Sequence, residues 1–235
     1  MGAAVGEFQE YIPVVGEPVA FAIGFVVLVL VAFTGPYADS IVTVAHEGGH
    51  MLALLAAGRP IRSFTLTGRD DRTDGATGFW RLPGGTWVSD ISTAFAGYPA
   101  PPLLGLGGAY VIADGNAWGV LWIGIVLLLA VLLVESNGLA TVITLLILGG
   151  VLWATLAGGR TIQAAVAVGL VWLLLIGGLR RILLDGAHAS DAHALSDMTW
   201  IPRFVWSGIW LVIAAVSLWV GGRLILGYGP SSAVG

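Results

Sequence analysis

The segment His46-Glu47-Gly-Gly-His50 lies within an otherwise apolar stretch, "IVTVAHEGGHMLALLAAG", residues 41–58. On a helix, His46 and His50 are one turn apart and project from the same face. Two imidazole nitrogens placed in this way can bind one zinc ion, with Glu47 beside the metal as a general base. The alternative is a purely structural pair of histidines, but burying Glu47 between them in hydrocarbon is costly unless a cation neutralises it. The spacing therefore predicts a hydrolytic zinc centre.

The third zinc ligand must come from elsewhere in the chain. A hydrolytic zinc site normally has three protein ligands, and because the chain contains no cysteine, the third is expected to be His, Asp or Glu. The concentrated supply is "LLDGAHASDAHALSD", residues 183–197, which contains Asp185, His188, Asp191, His193 and Asp197. Most of these must be ordinary solvated residues, so the spacing alone leaves the third ligand open.

Composition indicates the environment in which such a centre would lie. Hydrophobic residues make up 57% of the 235 residues and charged residues 10%, against about 25% charged in soluble domains. The mean hydropathy is +0.91. The chain is therefore predicted to be an integral membrane protein whose partner is the lipid bilayer. Its net charge of -4 does not indicate a nucleic-acid partner.

Apolar runs separated by turn residues predict an all-α integral membrane protein with about six to seven transmembrane helices. The predicted spans cover residues 18–34, 38–57, 91–112, 117–134, 139–157, 161–180 and 204–226. The segment "GPYAD" is expected to be a turn, and the prolines of "YPAPP" are expected to kink or delay the third helix. One membrane-embedded domain, residues 18–228, is predicted between an N-terminal segment, residues 1–17, and a C-terminal tail, residues 229–235.

Residues 58–90 form the longest polar interval. Within it, "IRSFTLTG" and "ATGFWRL" alternate apolar and polar residues around the turn-forming "DDRTDG". Alternation at period two, flanked by Asp and Gly, predicts a small β-hairpin after the second span. Two interpretations stay open: a solvated loop, or an edge strand that pairs with an extended substrate segment.

Arginine placement predicts the orientation. With seven spans and the N-terminus inside, only Arg160 and Arg223 of the ten basic residues fall outside. The positive-inside rule therefore predicts a cytoplasmic N-terminus, and it places on the same side the loop at residues 181–203, which carries the candidate third ligand. Residues 1–17 contain three glutamates and no basic residue, so no cleavable signal peptide is expected. The expected location is a bacterial plasma membrane.

Two segments resemble a known family. "HEGGHMLALLAAGRPI", followed by a hairpin and "AGYPAPPLLG", resembles the site-2 protease family of intramembrane zinc metallopeptidases. "SDAHALSDMTWIPRFVW" is similar to the Ser-Asp-Ala segment of its small M50B-like branch, which lacks a PDZ module. The resemblance implies His46 and His50 as zinc ligands and Glu47 as the catalytic residue. It also implies Asp191 as the third ligand, with Asp185 of the wider family's Leu-Asp-Gly motif as the alternative.

The resemblance implies an enzyme, a zinc metalloendopeptidase that cleaves transmembrane segments of membrane proteins. In this hypothesis Glu47 is the general base for a zinc-activated water. A second hypothesis is a catalytically silent metallopeptidase-like subunit that assembles or stabilises a larger membrane protein complex. A transporter or channel is disfavoured, because the other predicted spans contain almost no ionisable residues. The sequence does not indicate the substrate-binding residues.

Overall fold

The structure, a computed structural model, describes residues 15–33, 35–59, 61–69, 72–79, 86–133 and 138–228. Nine α-helices, one 3-10 turn and two β-strands lie within these ranges. The helices are α1 (Glu17–Phe33), α2 (Gly35–Ala56), α3 (Trp87–Ala96), α4 (Ala100–Ala113), α5 (Ala117–Leu132), α6 (Gly138–Leu156), α7 (Arg160–Asp185), α8 (Ser190–Thr199) and α9 (Arg203–Ile225). The 3-10 turn is Gly186–His188, and the strands are β1 (Ile61–Arg69) and β2 (Arg72–Phe79). The predicted tail 229–235 and most of the predicted segment 1–17 lie outside the described residues.

The helical class predicted from the apolar runs is confirmed, and helices occupy each predicted span. Among the described residues, two helices are long and apolar enough to cross a membrane, residues 160–188 and residues 203–225. The remaining apolar helices are shorter over their described parts. The count of six to seven spans therefore stays a prediction.

The outer faces of the helices are apolar. Large side chains such as Phe21, Leu146 and Trp219 are exposed by 64%, 72% and 68%. Soluble proteins rarely leave apolar surface of this extent in contact with water. These faces therefore fit a hydrocarbon solvent.

The third predicted span is two helices rather than one. α3 ends at Ala96, α4 begins at Ala100, and a turn of three residues joins them. Pro99, at the start of α4, and the prolines that follow it have no backbone N–H, so a single helix cannot run through this region. Gly97 and Tyr98 in the turn are buried, so the break brings backbone and an aromatic ring into the interior.

Two boundaries differ from the sequence-based prediction. The turn predicted at "GPYAD" is wrong, because α2 already begins at Gly35; Pro36 is tolerated in a first helical turn, where its missing N–H is not needed. The segment predicted as a loop, residues 181–203, is largely helical. α7 continues to Asp185 and ends where Gly186 adopts a φ of 50°, a conformation that glycine reaches without steric strain.

α8 follows this turn and packs inward on one face. Its buried residues Ala192 and Leu195 join a cluster that includes Trp210 of α9. At its other end, the indole Nε1–H of Trp87 in α3 donates to the carbonyl of Met198 at 3.0 Å. α8 is therefore fixed between α3 and α9 rather than free in solvent.

α7 is the central helix and packs against α1, α2, α4, α5, α6 and α9. Its fully buried Leu175 lies between Gly105 of α4 and Gly221 of α9. A Cβ added at either glycine would lie 2.9 Å from a Leu175 side-chain atom. Small residues that admit a neighbouring side chain in this way let membrane helices approach closely. The three helices therefore form one interlocked support for the α3–α4 turn.

β1 and β2 form an antiparallel hairpin after α2, where the alternating pattern predicts one. Their register runs from Ile61 opposite Phe79 to Arg69 opposite Arg72, with one irregularity between Ile61 and Ser63. β2 lies beside α2. The hairpin is therefore adjacent to the helix that carries the two histidines.

The packing of Leu175 predicts that Gly105→Val lowers stability. The new side chain would overlap Leu175 and force α4 away from α7, and overpacking of this kind typically costs about 1–3 kcal/mol. The matched control is Gly107→Val in the same helix, where a Cβ meets nothing within 4 Å. Thermal unfolding in detergent, followed by circular dichroism, should show a lower midpoint for Gly105→Val than for Gly107→Val. Equal midpoints would contradict the interlocked packing.

Candidate metal centre

α2 presents His46 and His50 on one face, as the four-residue spacing predicts. Their Nε2 atoms are 3.1 Å apart, and their rings meet edge to face with centroids 4.7 Å apart. Two imidazoles this close bring two potential metal-binding nitrogens to one point.

Glycine within the motif allows α2 to approach the α3–α4 turn. A Cβ added at Gly49 would lie 2.5 Å from the carbonyl oxygen of Ala96 and 2.5 Å from the Cβ of Ala100. Any larger residue would therefore push α2 away. Glycine lowers helix propensity by about 1 kcal/mol relative to Ala, so its presence in mid-helix is explained by this contact.

α8 supplies the third group, Asp191. Its Oδ2 lies 3.2 Å from Nε2 of His46 and 3.3 Å from Nε2 of His50. Together with the two nitrogens it forms a nearly equilateral triangle of potential ligand atoms. Among the described residues, these are the three that form a group able to hold a metal ion. The first helical turn of α8 thus meets the middle of α2.

The triangle fits zinc. Zinc–nitrogen and zinc–oxygen bonds of about 2.0–2.2 Å in a tetrahedral site require ligand atoms roughly 3.3–3.6 Å apart; the observed separations are 3.1–3.3 Å. Asp191 Oδ2 is buried, and the two imidazole nitrogens lie 3.2 and 3.3 Å from it. A buried carboxylate is costly unless positive charge compensates it, and a cation held among these three atoms would supply that charge. Two imidazoles and one carboxylate are also the donor set of a hydrolytic zinc site, which keeps a fourth position open.

The charge of Asp191 is favourable for cation binding. α8 lies outside the predicted spans. Burial raises the pKa of Asp191, but the facing rings of His46 and His50 outweigh burial and hold its pKa well below the usual range for Asp. The carboxyl group is therefore ionised at neutral pH, which is the form that binds a metal.

A backbone carbonyl orients His50. Its Nδ1 lies 2.6 Å from the carbonyl oxygen of Thr93 in α3. A carbonyl only accepts hydrogen bonds, so Nδ1 carries the proton and donates it, and Nε2 keeps its lone pair for a metal. The sequence-based prediction of the site did not include Thr93, because every residue has a backbone carbonyl and the residue type does not show which one accepts a hydrogen bond.

Gly97 forms the wall against which both rings lie. A Cβ at this position would lie 2.6 Å from Cε1 of His50 and 2.7 Å from Cε1 of His46. The backbone φ here is -61°, so the need for glycine is steric rather than conformational. The "AGYPAPP" motif contains this residue, but its role became visible only when α2 and the α3–α4 turn were placed together.

Asp185, the alternative third ligand, lies outside the group. Its Oδ2 accepts a hydrogen bond from the Tyr98 hydroxyl at 2.8 Å and from Nε of Arg181 at 2.6 Å. It belongs to the last turn of α7, whereas Asp191 lies in the first turn of α8, beyond the 3-10 turn. The change of direction at Gly186 therefore separates the two carboxylates.

The remaining candidates are also outside the group. His193 faces Arg203, with 2.8 Å between its Nε2 and the guanidinium Nη1. His188 and Asp197 are exposed. Glu47 is 3% exposed; within the described part of the chain it contributes none of the three ligand atoms. Its place next to His46 fits a group that acts on water rather than on the metal.

Comparison with protein families gives one match. A model of the family described as Peptidase M50B-like matches residues 19–221. The matched region includes α2, the α3–α4 turn and α8, and therefore all three residues of the metal group. No curated protein and no solved structure matches the chain.

The geometry predicts that Asp191→Ala abolishes zinc binding, because it removes one of three ligands. The matched control is Asp197→Ala, which removes an exposed carboxylate from the same helix and should leave one zinc per chain. Metal analysis of the detergent-purified proteins, loaded with excess zinc and then desalted, measures both. Retention of zinc by Asp191→Ala together with its loss from Asp185→Ala would make Asp185 the ligand.

A second substitution tests the close contact between Gly97 and the imidazole rings of His46 and His50. Gly97→Ala should weaken zinc binding by about tenfold or more, because its methyl group displaces the imidazoles from the positions that converge on Asp191. Gly48→Ala is the control, since a Cβ at Gly48 meets nothing within 4 Å. Zinc affinity from competition with a chromogenic chelator distinguishes the two. Equal affinities would show that Gly97 does not determine the ring positions.

Proposed function

The chain belongs to the Peptidase M50B-like family, and from this membership and the His46–His50–Asp191 geometry we propose that it is an intramembrane zinc metalloendopeptidase. The family is one of membrane-embedded metallopeptidases of the site-2 protease type. The observation that carries the proposal is the convergence of three ligand atoms from α2 and α8, all within 3.3 Å of one another.

His46, His50 and Asp191 would hold the zinc ion. When bound, zinc supplies a Lewis acid that lowers the pKa of water and polarises a peptide carbonyl. The Thr93 carbonyl keeps the His50 tautomer that presents Nε2. Asp191 contributes a negative charge that offsets part of the charge of the cation.

Glu47 is the proposed catalytic base. It accepts a proton from the attacking water, whose oxygen bonds to the scissile carbonyl carbon. It then donates that proton to the amide nitrogen as the carbon–nitrogen bond breaks. The burial of Glu47 beside His46 supports this role, since a base shielded from bulk water keeps the proton within the site.

The proposed substrate is a transmembrane segment of another membrane protein. A helix engages its carbonyls in hydrogen bonds, so the segment must be locally unwound before one can be attacked. An unwound segment is extended, and extended chains can pair with the edge of a sheet. The position of β2 beside α2 supports the hairpin as the element that receives it. The arginine distribution supports a cytoplasmic N-terminus.

Glu47→Gln tests the chemistry. The variant keeps the size of the side chain but cannot accept a proton, and general base catalysis contributes about a hundred- to ten-thousand-fold in rate. We expect it to bind one zinc per chain and to accumulate uncut membrane proteins in cells. The control is Glu17→Gln, which changes an exposed glutamate at the start of α1 and should leave the cleavage pattern unchanged. Comparison of membrane proteomes, with zinc measured on each purified protein, gives the result.

The same experiment separates an enzyme from a silent subunit. If the cleavage pattern is unchanged and Glu47→Gln rescues the phenotype of a deletion strain, the protease proposal is wrong. The chain would then act as a metallopeptidase-like subunit of a membrane complex.

A further inference from the structure

Tyr98 lies between α2, which carries the two histidines, and the helices α7 and α9. Its side chain is buried, at 5% exposure. One side of the ring stacks on Trp210 of α9, with centroids 4.6 Å apart and an interplanar angle of 22°. The ring also meets the imidazole of His46 at right angles, again with centroids 4.6 Å apart. Tyr98 is therefore in direct contact with one of the proposed zinc ligands.

The hydroxyl of Tyr98 is tethered to α7. It donates to Oδ2 of Asp185 at 2.8 Å, and the same oxygen accepts from Nε of Arg181 at 2.6 Å. Arg181 in turn lies 3.4 Å from the hydroxyl of Thr43 in α2. The carboxylate of Asp185 is 8% exposed, so these contacts form in a shielded environment where they are strong. The tether fixes the end of the Tyr98 ring opposite its backbone.

We propose that Asp185 and Tyr98 are positioning residues for the zinc ligand His46. The inference rests on the metal site of the proposed function, but not on proteolysis. Asp185 holds the hydroxyl of Tyr98, and the held ring forms one wall of the space occupied by the His46 imidazole. Asp185 thus acts on the metal through two contacts and is not itself a ligand.

The physical reason is that His46 must be held by contacts with its ring. An imidazole can rotate about its two side-chain bonds, and a ligand nitrogen must be held within about 0.5 Å of its productive position. Gly97 and His50 confine the ring on other sides. Without the hydrogen bond to Asp185, the Tyr98 ring can tilt, and it then confines the His46 imidazole less tightly. Nε2 of His46 can therefore point in a wider range of directions.

Substitution of Tyr98 is the cleaner perturbation. Tyr98→Phe removes one hydroxyl and retains the stacked ring. Asp185→Ala removes the acceptor from the other side, but it also removes the charge that pairs with Nε of Arg181, which is costly for a buried pair. Both variants and their combination are therefore needed. Tyr110→Phe is the matched control, because Tyr110 lies in α4 with half of its side chain exposed.

The experiment measures metal binding on the full-length chain in detergent. Zinc affinity is determined by chelator competition, and the visible absorption of the cobalt(II)-loaded protein reports the ligand geometry. Thermal unfolding verifies that each variant is folded. We expect Tyr98→Phe and Asp185→Ala each to keep one metal per chain, to bind zinc about ten- to a hundred-fold more weakly and to shift the cobalt bands. The double variant should be no weaker than the weaker single variant, because both changes remove one interaction. Tyr110→Phe should match the wild type.

Two results would overturn the inference. If Tyr98→Phe leaves zinc affinity and the cobalt spectrum unchanged, the tether does not position His46. If Asp185→Ala abolishes binding while Tyr98→Phe has no effect, Asp185 is a ligand. A wild-type protein that binds zinc but cleaves nothing would contradict the proposed function alone, whereas a wild-type protein that binds no metal would contradict both.

Discussion

The structure depends on the convergence of two imidazoles and a carboxylate in an interior shielded from water. Nε2 of His46, Nε2 of His50 and Oδ2 of Asp191 lie 3.1–3.3 Å from one another. A charged group in apolar surroundings is costly unless an opposite charge compensates it. This constraint explains the position of α8. Its first turn brings the carboxylate of Asp191 to the histidines of α2, and its apolar face is buried in the cluster that includes Trp210 of α9.

The break between α3 and α4 provides the support that this convergence requires. A continuous helix would present side chains to α2, whereas the turn presents backbone. The Thr93 carbonyl orients His50, and the missing side chain of Gly97 makes room for both rings. Tyr98 extends the support to α7 and α9 through Asp185 and Trp210. One irregular segment thus connects the metal group to α7 and α9.

The sequence predicted the helical class, the approximate helix positions and the interruption of the third span, because hydrophobic periodicity and proline are local signals. It predicted His46 and His50 as a pair for the same reason, because residues four positions apart on a helix project from the same face. It did not predict the helix at 190–199. That segment is short and only moderately apolar, and its helical state depends on burial of one face against α3 and α9.

The sequence by itself predicted a metal-binding pair in an apolar helix and a third ligand within the acidic and histidine-rich segment 183–197. The spacing alone left open which of the two carboxylates, Asp185 or Asp191, lies beside the histidines, and only the tertiary structure shows that it is Asp191. Two carboxylates six positions apart look alike in sequence, but the turn at Gly186 sends one toward Tyr98 and Arg181 and the other toward the histidines. A ligand set joins residues distant in the chain, and its distances are determined by how helices pack.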